Sequence, residues 1–344
     1  MKFDFVIGNP PYQDNTIGEN ETYAPPVYHS FMDSAFEVAD KVLLIHPARF
    51  LFDAGKTPKA WNRKMLSDKH FRVLEFEQDS KNIFANTDIK GGIAITFRDS
   101  KKDFGEIGTY TSFLELNSIK DKVCNSQSFK SLYDIVVPRT AYRLTQKMHD
   151  EHPEAMTQLS KGHAFDMSTN IFERLPQIFH NSKPNDGKEY IQIVGREGNE
   201  RVYKYIRRDY VNNVANLDKY KIILPKSNGS GAIGEVLSTP LIGEPLIGET
   251  ETFISIGAFT NVKEAQNALK YIKTKFARAM LGILKITQDN NRDVWRYVPL
   301  QDFTADSDID WSKSIAETDR QLYAKYGLDE NEINFIETKV KEMQ

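Results

Sequence analysis

Cysteine is almost absent from this chain of 344 residues. The single thiol, Cys124, excludes an internal disulfide and any multi-cysteine zinc site. No apolar run approaches the roughly 18 residues that a membrane helix requires, and no signal-peptide pattern opens the chain. The expectation is therefore a cytoplasmic protein with no membrane partner. Excess charge is also lacking: 45 Lys and Arg against 48 Asp and Glu leave a net −3, which does not mark the whole chain as a polyanion binder. What remains, 40% hydrophobic and 27% charged residues, is enough for two folded domains.

The charge is unevenly placed. Residues 301–344 hold 11 acidic and 5 basic residues, so the rest of the chain is slightly basic. Residues 196–226 hold 8 basic against 4 acidic and are the best candidate for phosphate contact.

One stretch stands out, Lys2–Tyr12, KFDFVIGNPPY. Phe3, Phe5, Val6 and Ile7 form an apolar run that stops at Gly8-Asn9-Pro10-Pro11-Tyr12. Such a run, ended by Gly and Pro, predicts a buried strand that breaks at its carboxyl end. Ligands of open α/β sheets bind just outside that end. Pro11 lacks an N–H, and the two prolines restrict the backbone, leaving the Pro10 carbonyl to accept from a ligand. The Asn9 side-chain oxygen is a second acceptor, and Tyr12 adds a flat aromatic face. Two acceptors and an aromatic plate suit a flat heterocycle with an exocyclic amine. Adenine N6 is a poor nucleophile because its lone pair is delocalised into the ring. Accepting both of its N–H bonds pushes that nitrogen toward a tetrahedral, more nucleophilic form.

Asn9-Pro10-Pro11-Tyr12 is the motif of the adenine-N6 DNA methyltransferases of restriction–modification systems, and the chain resembles that family. The resemblance implies that Asn9, Pro10 and Tyr12 are catalytic, that Pro11 lines the substrate pocket, and that double-stranded DNA is the partner. It also implies S-adenosylmethionine as methyl donor. A base inside a duplex must be flipped out to be reached, and aromatic stacking offsets part of that cost. The segment Asn82-Ile83-Phe84, followed by Lys90-Gly91-Gly92-Ile93, looks like the family's hairpin, whose aromatic residue flanks the flipped base. That role passes to Phe84 by position; ordinary hairpin packing is the competing reading.

The elements around the motif support the resemblance. Asp14–Tyr23 reads as a loop. Apolar spacing predicts a helix over Tyr28–Ala39, and Lys41–His46 a strand ending before the loop His46–Leu51. Lys59–Leu66 is expected to be helical, and His70–Phe76 and Gly91–Phe97 to be strands closing a hairpin. The family binds its cofactor through a glycine-rich turn on strands that normally precede Asn-Pro-Pro-Tyr, and here only a few residues do. The one formal G-x-G-x-x-G match, Gly229–Gly234, follows Lys221–Pro225 but precedes no helical pattern. A phosphate-contacting loop of a DNA-binding domain is the preferred reading. The expectation is then either a truncated product or a partner chain supplying the cofactor-binding half, with an exposed apolar edge on the Phe3–Ile7 strand.

Residues 158–259 are turn-rich, with strands expected at Tyr190–Val194, Arg201–Ile206, Tyr220–Leu224 and Thr252–Ile256. Basic residues interleave there with tyrosines. Arg196, Arg201, Lys204, Arg207, Arg208, Lys226, Asn228, Gly229 and Gly231 are the candidate DNA contacts, against the alternative of an ordinary charged strand face. Val262–Lys285 predicts one long helix with an Asn261/Glu264 capping box, followed by a strand at Val294–Leu300. This arrangement is similar to the target-recognition domains of restriction–modification enzymes. His149-Asp150-Glu151-His152 is read as an exposed helix end rather than a metal site, and Asp306, Asp308 and Asp310 as caps of the helix expected at Ser312–Tyr326. A last helix is expected over Asp329–Met343 with a second capping box, and no nuclease motif is found.

The expected fold is α/β. A partial doubly wound, Rossmann-like methyltransferase sheet is followed by a mixed, mostly β target-recognition domain and C-terminal helices. The expected segments are 1–106 for the C-terminal half of a methyltransferase catalytic domain, 107–150 for a connection, 151–300 for target recognition and 301–344 for terminal helices. The expected function is site-specific adenine-N6 methylation. The alternative is a DNA-specificity module or an inactive fragment dependent on another chain.

Overall fold

The computed structural model describes residues 3–14, 25–84, 89, 91–198 and 200–343. It divides into two compact units, Met1–Leu114 and Glu115–Gln344. The expected loop beyond Asp14 and the Lys90 part of the expected hairpin lie outside the described residues. Among the described residues no helix is long and apolar enough to cross a membrane.

The first unit runs β1 (Phe3–Gly8), α1 (Tyr28–Val38), β2 (Ala39–Pro47), α2 (Lys59–Leu66), β3 (Phe71–Glu77) and β4 (Ile93–Asp99). The four strands form a mixed sheet in the order β1-β2-β4-β3. β1 pairs parallel with β2, while β4 runs antiparallel to both β2 and β3. The expected hairpin is thus present. β1 stops where it does because Pro10 and Pro11 offer no N–H to a ladder.

Alternation along the strands divides the sheet into two faces. Val42, Leu44 and Phe71 point to one side and pack with Tyr28 and Met32 of α1 and with Trp61 and Met65 of α2, all buried. Both helices lie on this one cluster, so the described helices cover one face. On β1 the odd residues turn elsewhere: Phe3, Phe5 and Ile7 are 53%, 44% and 73% exposed. Phe5 has a partial partner, stacking on Phe97 at 6.2 Å.

The second unit opens with α3 (Leu114–Cys124) and β5 (Val136–Val137), then α4 (Gln146–Glu151) and the single turns α5 (Ala155–Gln158) and α6 (Ile171–Arg174). Six strands follow: β6 (Tyr190–Glu197), β7 (Glu200–Arg207), β8 (Tyr220–Pro225), β9 (Leu241–Gly243), β10 (Ile247–Glu249) and β11 (Phe253–Phe259). One sheet has the order β10-β6-β7 and another β5-β11-β8-β9. The chain ends with α7 (Val262–Lys273), α8 (Lys275–Gly282), α9 (Ile315–Lys325) and α10 (Glu330–Lys339).

Three expected elements differ. The single helix over Val262–Lys285 is two, because Thr274 leaves helical geometry with ψ 151° and caps α8 by accepting from the Ala277 N–H. The buried Asp319 carboxylate of α9 adds two more acceptors, for the N–H groups of Lys275 at 3.1 Å and Phe276 at 2.8 Å. Apolar periodicity continues across the break and could not reveal it. Val294–Leu300 is not a strand: Arg292–Trp295 forms a short 3-10 turn capped by Asn291, which buries Trp295. The cap of α9 is Ser314 in a reciprocal box with Glu317, not the aspartates before it. Asp308 instead meets Lys325 at 2.8 Å, and Asp310 accepts from the Ser312 N–H at 2.9 Å. The capping box Asp329/Glu332 at α10 is present as expected.

Candidate active site

Strand direction gathers the site. β1 and β2 are parallel, so both carboxyl ends open on the same edge of the sheet. β4 begins opposite the end of β2, with Ile93 paired to Pro47, so the connection from β3 to β4 opens there too. Asn9–Tyr12, the turn Arg49–Phe52 and the turn Ser80–Asn82 leading to Phe84 therefore share one edge. This is where ligands of such sheets bind.

The motif is pinned at its far end. The Tyr12 carbonyl accepts from the Val27 N–H at 3.2 Å, just before α1, and the Asp14 N–H donates to the Pro25 carbonyl at 3.0 Å. Asn9 and Pro11 are exposed, while Pro10 and Tyr12 are half-buried. Burial pushes the Tyr12 hydroxyl above its ordinary value. The Asn9 side chain lies close enough to oppose that shift, and among the described residues no group meets the hydroxyl in full hydrogen-bond geometry.

Phe84 comes from the other arm. Its N–H donates to the Ser80 carbonyl at 2.8 Å, and the Ser80 hydroxyl accepts from the Ile89 N–H at 2.8 Å. The Tyr12 and Phe84 rings meet edge to face, with centroids 6.4 Å apart and planes at 64°. The two aromatics singled out from the sequence are thus neighbours. A base stacked between them needs parallel faces about 7 Å apart, twice a contact of roughly 3.5 Å. One ring must turn to admit it.

Behind the edge is an aromatic wall that sequence reasoning missed. Tyr28 stacks on His46 at 5.8 Å with planes 7° apart, and Phe50 meets Trp61 at 5.0 Å. His46 is fully buried, with Nε2 2.8 Å from the Thr96 hydroxyl and Nδ1 3.1 Å from the Pro47 carbonyl. Burial lowers it to about 4, against the Pro47 bond, so it is neutral at pH 7. The ending of β2 in His46-Pro47 was the available signal, since polar residues at strand ends often line sites.

The expected DNA contacts separate into several kinds. Arg196 is exposed and sits directly across the hairpin from Arg201. Arg201 donates to the Thr239 carbonyl at 3.0 Å and lies 5.3 Å over the Phe253 ring. Lys204 meets Glu197 at 2.6 Å and lies 5.5 Å over Phe172. Arg208 holds Asn213 at 2.9 Å and lines a cleft of about 460 Å³ with Lys188 and Asn212. Lys226 is 3.7 Å from Asp289.

Three residues are not placed as a phosphate contact requires. Arg207 is 9% exposed, pairs with Glu151 and with Asp209 at 2.6 Å, and lies 4.3 Å over the Tyr210 ring. It is a structural cation. Asn228 is buried, with Nδ2 on the Val236 carbonyl at 2.9 Å and Oδ1 accepting from Ser238. The N–H of Gly231 points at Glu235, whose carboxylate also takes the Ser230 N–H at 2.9 Å and hydroxyl at 2.6 Å. These bonds, with Lys285 at 3.7 Å, hold Glu235 down at about 2 against its burial. Gly229 sits at φ +61°, a conformation that favours glycine, and a Cβ there would come within 2.0 Å of Glu235 Oε2. The glycine-rich loop is thus closed on its own carboxylate, and residues 229–240 contain no helix.

The loop does not fit a dinucleotide-type cofactor. A phosphate or ribose would find its Ser230 and Gly231 donors occupied, and among the described residues no helix starts directly after the loop. The paired histidines have protein partners as well. His149 Nε2 is 2.8 Å from the Ala164 carbonyl, and His152 lies near Glu154 and Tyr210. Among the described residues no group of three His, Cys, Asp or Glu is placed to hold a metal ion.

Comparison with known proteins agrees with the motif. Residues 1–84 match the family described as Eco57I restriction-modification methylase. A curated relative from Mycoplasma pneumoniae (strain ATCC 29342 / M129 / Subtype 1), named "Uncharacterized adenine-specific methylase", is 35% identical over 95 residues. The matched part is 27% of this chain and spans only 22% of that relative. Two solved structures are distantly similar. The type IIG restriction endonuclease BpuSI is 9% identical with a TM-score of 0.35, over 91% of this chain and 48% of that one. The type IIL restriction-modification enzyme MmeI, solved in complex with DNA, is 7% identical with a TM-score of 0.42, over 98% of this chain and 56% of that one. At these scores the structural likenesses carry no argument. The sequence matches bear on the first unit alone: residues 1–84 are similar to the family described as Eco57I restriction-modification methylase, and a 95-residue stretch is similar to a relative named as an adenine-specific methylase.

Proposed function

We propose that this chain performs the adenine-handling part of site-specific adenine-N6 DNA methylation. The observation that carries the reading is the convergence of Asn9, Pro10, Tyr12 and Phe84 on one sheet edge, with the two rings already in contact. The flipped adenine enters between Tyr12 and Phe84. The Asn9 side-chain oxygen and the Pro10 carbonyl each accept one N6–H. Both bonds strengthen as N6 becomes tetrahedral and positively charged, so they favour the transition state over the ground state. The base is neutral before attack, so no strong general base is assigned, and the surplus N6 proton passes to solvent afterwards.

S-adenosylmethionine is the methyl donor that the resemblance implies. No residue of this chain is assigned to hold it, since the one glycine-rich loop does not fit. A specific observation favours a second polypeptide region as its carrier. β1 is an outer strand of the described sheet, and its Phe3, Phe5 and Ile7 are exposed. We propose that cofactor-binding strands complete a doubly wound sheet along that side. The second unit is proposed to supply target recognition through Arg196, Arg201, Lys204, Arg208 and Lys226.

Calorimetric titration of the purified chain with S-adenosylmethionine tests the cofactor part. No saturable binding is expected; saturable binding would overturn the claim that the pocket lies elsewhere. For the adenine slot, N6-methyladenine is measured by mass spectrometry in DNA of a methylation-deficient host that expresses the chain with its cofactor-carrying region. Wild-type levels of the modified base after Asn9→Ala would sink the assignment.

A further inference from the structure

The turn that buries Trp295 presents two cations outside the basic stretch 196–226. Arg292 opens that turn, Arg292–Trp295, and Arg296 follows it. Both guanidiniums lie over one ring, that of Tyr133, at 4.0 Å and 5.6 Å from its centroid. Tyr133 belongs to a second short turn, Leu132–Ile135. The two turns are laced together. The Ser131 hydroxyl donates to the Arg296 carbonyl at 2.7 Å, the Leu132 N–H to the Val298 carbonyl at 2.8 Å, and the Leu300 N–H to the Lys130 carbonyl at 2.7 Å. Asn291 caps the first turn by accepting from the Asp293 N–H at 2.8 Å, and Ser131 caps the second by accepting from the Tyr133 N–H at 3.1 Å. Leu132 and Trp295 are fully buried and anchor both.

These arginines differ from Arg207, which Glu151 and Asp209 hold. Arg292 Nε donates to the Tyr133 carbonyl at 3.0 Å, and among the described residues no carboxylate meets its terminal nitrogens. Arg296 pairs with Asp293 at 3.3 Å, but those side chains are 59% and 68% exposed. Such a pair contributes little and exchanges readily. Two like charges on one ring repel, and a shared anion offsets that repulsion. The same segment also adjoins a residue already proposed to meet DNA. The Asn290 N–H donates to the Lys226 carbonyl at 2.6 Å, and Asp289 forms a β-bridge with Ser227.

We propose that Arg292 and Arg296, carried on the Tyr133 ring, grip phosphodiester groups of duplex DNA and extend the DNA-facing surface of the second unit beyond Lys226. The proposal rests on the reading above that this unit binds DNA. A guanidinium offers two parallel N–H bonds to a phosphate, which an ammonium does not. Stacking on a ring whose turn is fixed at both ends lowers the entropy lost on contact. Contacts of this kind set the register of a protein on the duplex and carry no sequence information themselves.

The test uses the full chain, fluorescein-labelled duplexes of two unrelated mixed sequences, and anisotropy titrations across a salt series. Arg292→Met and Arg296→Met each keep the stem and remove the charge. Each should weaken binding roughly tenfold and make the salt slope less steep by about 1. The same fold loss is expected on both duplexes. Unchanged affinity and slope in the double variant, with a native melting curve, would overturn the proposal. So would a loss confined to one duplex, which would make the arginines base readers, or a loss with an unaltered slope. If Arg292→Met does not fold, Arg296→Met decides by the same criteria, since that side chain is exposed. A wild-type chain that binds neither duplex overturns both this proposal and the reading of the second unit as DNA-binding. Normal binding by the double variant, with binding weakened by Arg208→Ala, overturns this proposal alone.

Discussion

The two units use their unusual residues in opposite ways. In the first, groups that ordinarily seek burial or partners are left at the surface: Phe3, Phe5 and Ile7 on β1, and Asn9 at its end. In the second, groups that ordinarily seek water are buried. Arg278 is 2% exposed and bonds the carbonyls of Gly234 at 3.2 Å and Thr274 at 3.3 Å. Lys221, fully buried, bonds the carbonyls of Asn216 at 2.8 Å and Leu217 at 3.2 Å. A basic stretch is therefore not by itself a binding surface. Cations that satisfy loop carbonyls or internal acids are structural, and exposed groups at a strand end are available for chemistry.

The sharpest break between the units is expected in activity. Asn9→Ala and Tyr12→Ala should lower methylation about a hundredfold to a thousandfold, because the first removes an acceptor for the reacting amine and the second removes a ring that holds the base. Asn9→Ala should change the melting temperature little, since Asn9 is exposed, whereas Tyr12→Ala also removes a half-buried ring packed on Phe84 and should lower it modestly. Melting curves run beside the methylation assay check this, and parallel losses would mean that the site is structural.

Acid should also distinguish the units. His46 is held neutral, at about 4 when folded against about 6.5 when unfolded. Between these values the unfolded chain binds more protons, so the first unit loses about 3 kcal/mol as pH falls from 6.5 to 4. Burial shifts two carboxyls of the second unit the other way. Asp319 is raised to about 6, despite bonds from the Phe276 and Lys275 N–H groups, and Glu249 is raised by full burial. There the folded state binds more protons, so stability from these groups is present at low pH and is lost as pH rises, through about 4 to 6 for Asp319 and up to about 7 for Glu249. Hydrogen exchange followed separately for each unit at pH 5 and pH 7 should show protection falling with acid in the first unit only. A common direction in both would mean that other groups dominate.

Neighbouring arginines sharpen the same contrast within the second unit. Arg208→Ala should weaken DNA binding and reduce the salt slope by about 1. Arg207→Ala should instead lower the melting temperature by unpairing Glu151 and Asp209, with the salt slope unchanged. Anisotropy and calorimetry on the two variants exchange the assignments if the pattern is reversed. The smallest effect expected is that of Thr274→Ala, about 1 kcal/mol from a lost helix cap, read as a shift of the urea midpoint.

How much was legible depends on the range of the interaction. Phe3–Gly8, Tyr28–Val38 and Lys59–Leu66 follow local patterns, and each was expected within a residue of where it lies. Asn9–Tyr12 was legible because its chemistry lies in four consecutive residues. Phe84 was reachable only through the family resemblance, since its contact with Tyr12 spans the sheet. The break at Thr274 was not legible, because half of its cause is Asp319 on another helix. The state of Arg207 and of the glycine-rich loop was hidden for the same reason: Glu151 and Glu235 decide whether their charges and N–H groups are available.

The sequence by itself determined the strand that ends in two prolines, the acceptors that follow, and the helices whose caps lie within three residues. These depend on backbone restriction and local hydrogen bonds, which nearest neighbours settle. Only the tertiary structure decided which cations are structural and that Tyr12 and Phe84 touch. Those outcomes depend on which distant groups are brought together, and burial gives such pairings their strength by removing the water that would otherwise satisfy each partner.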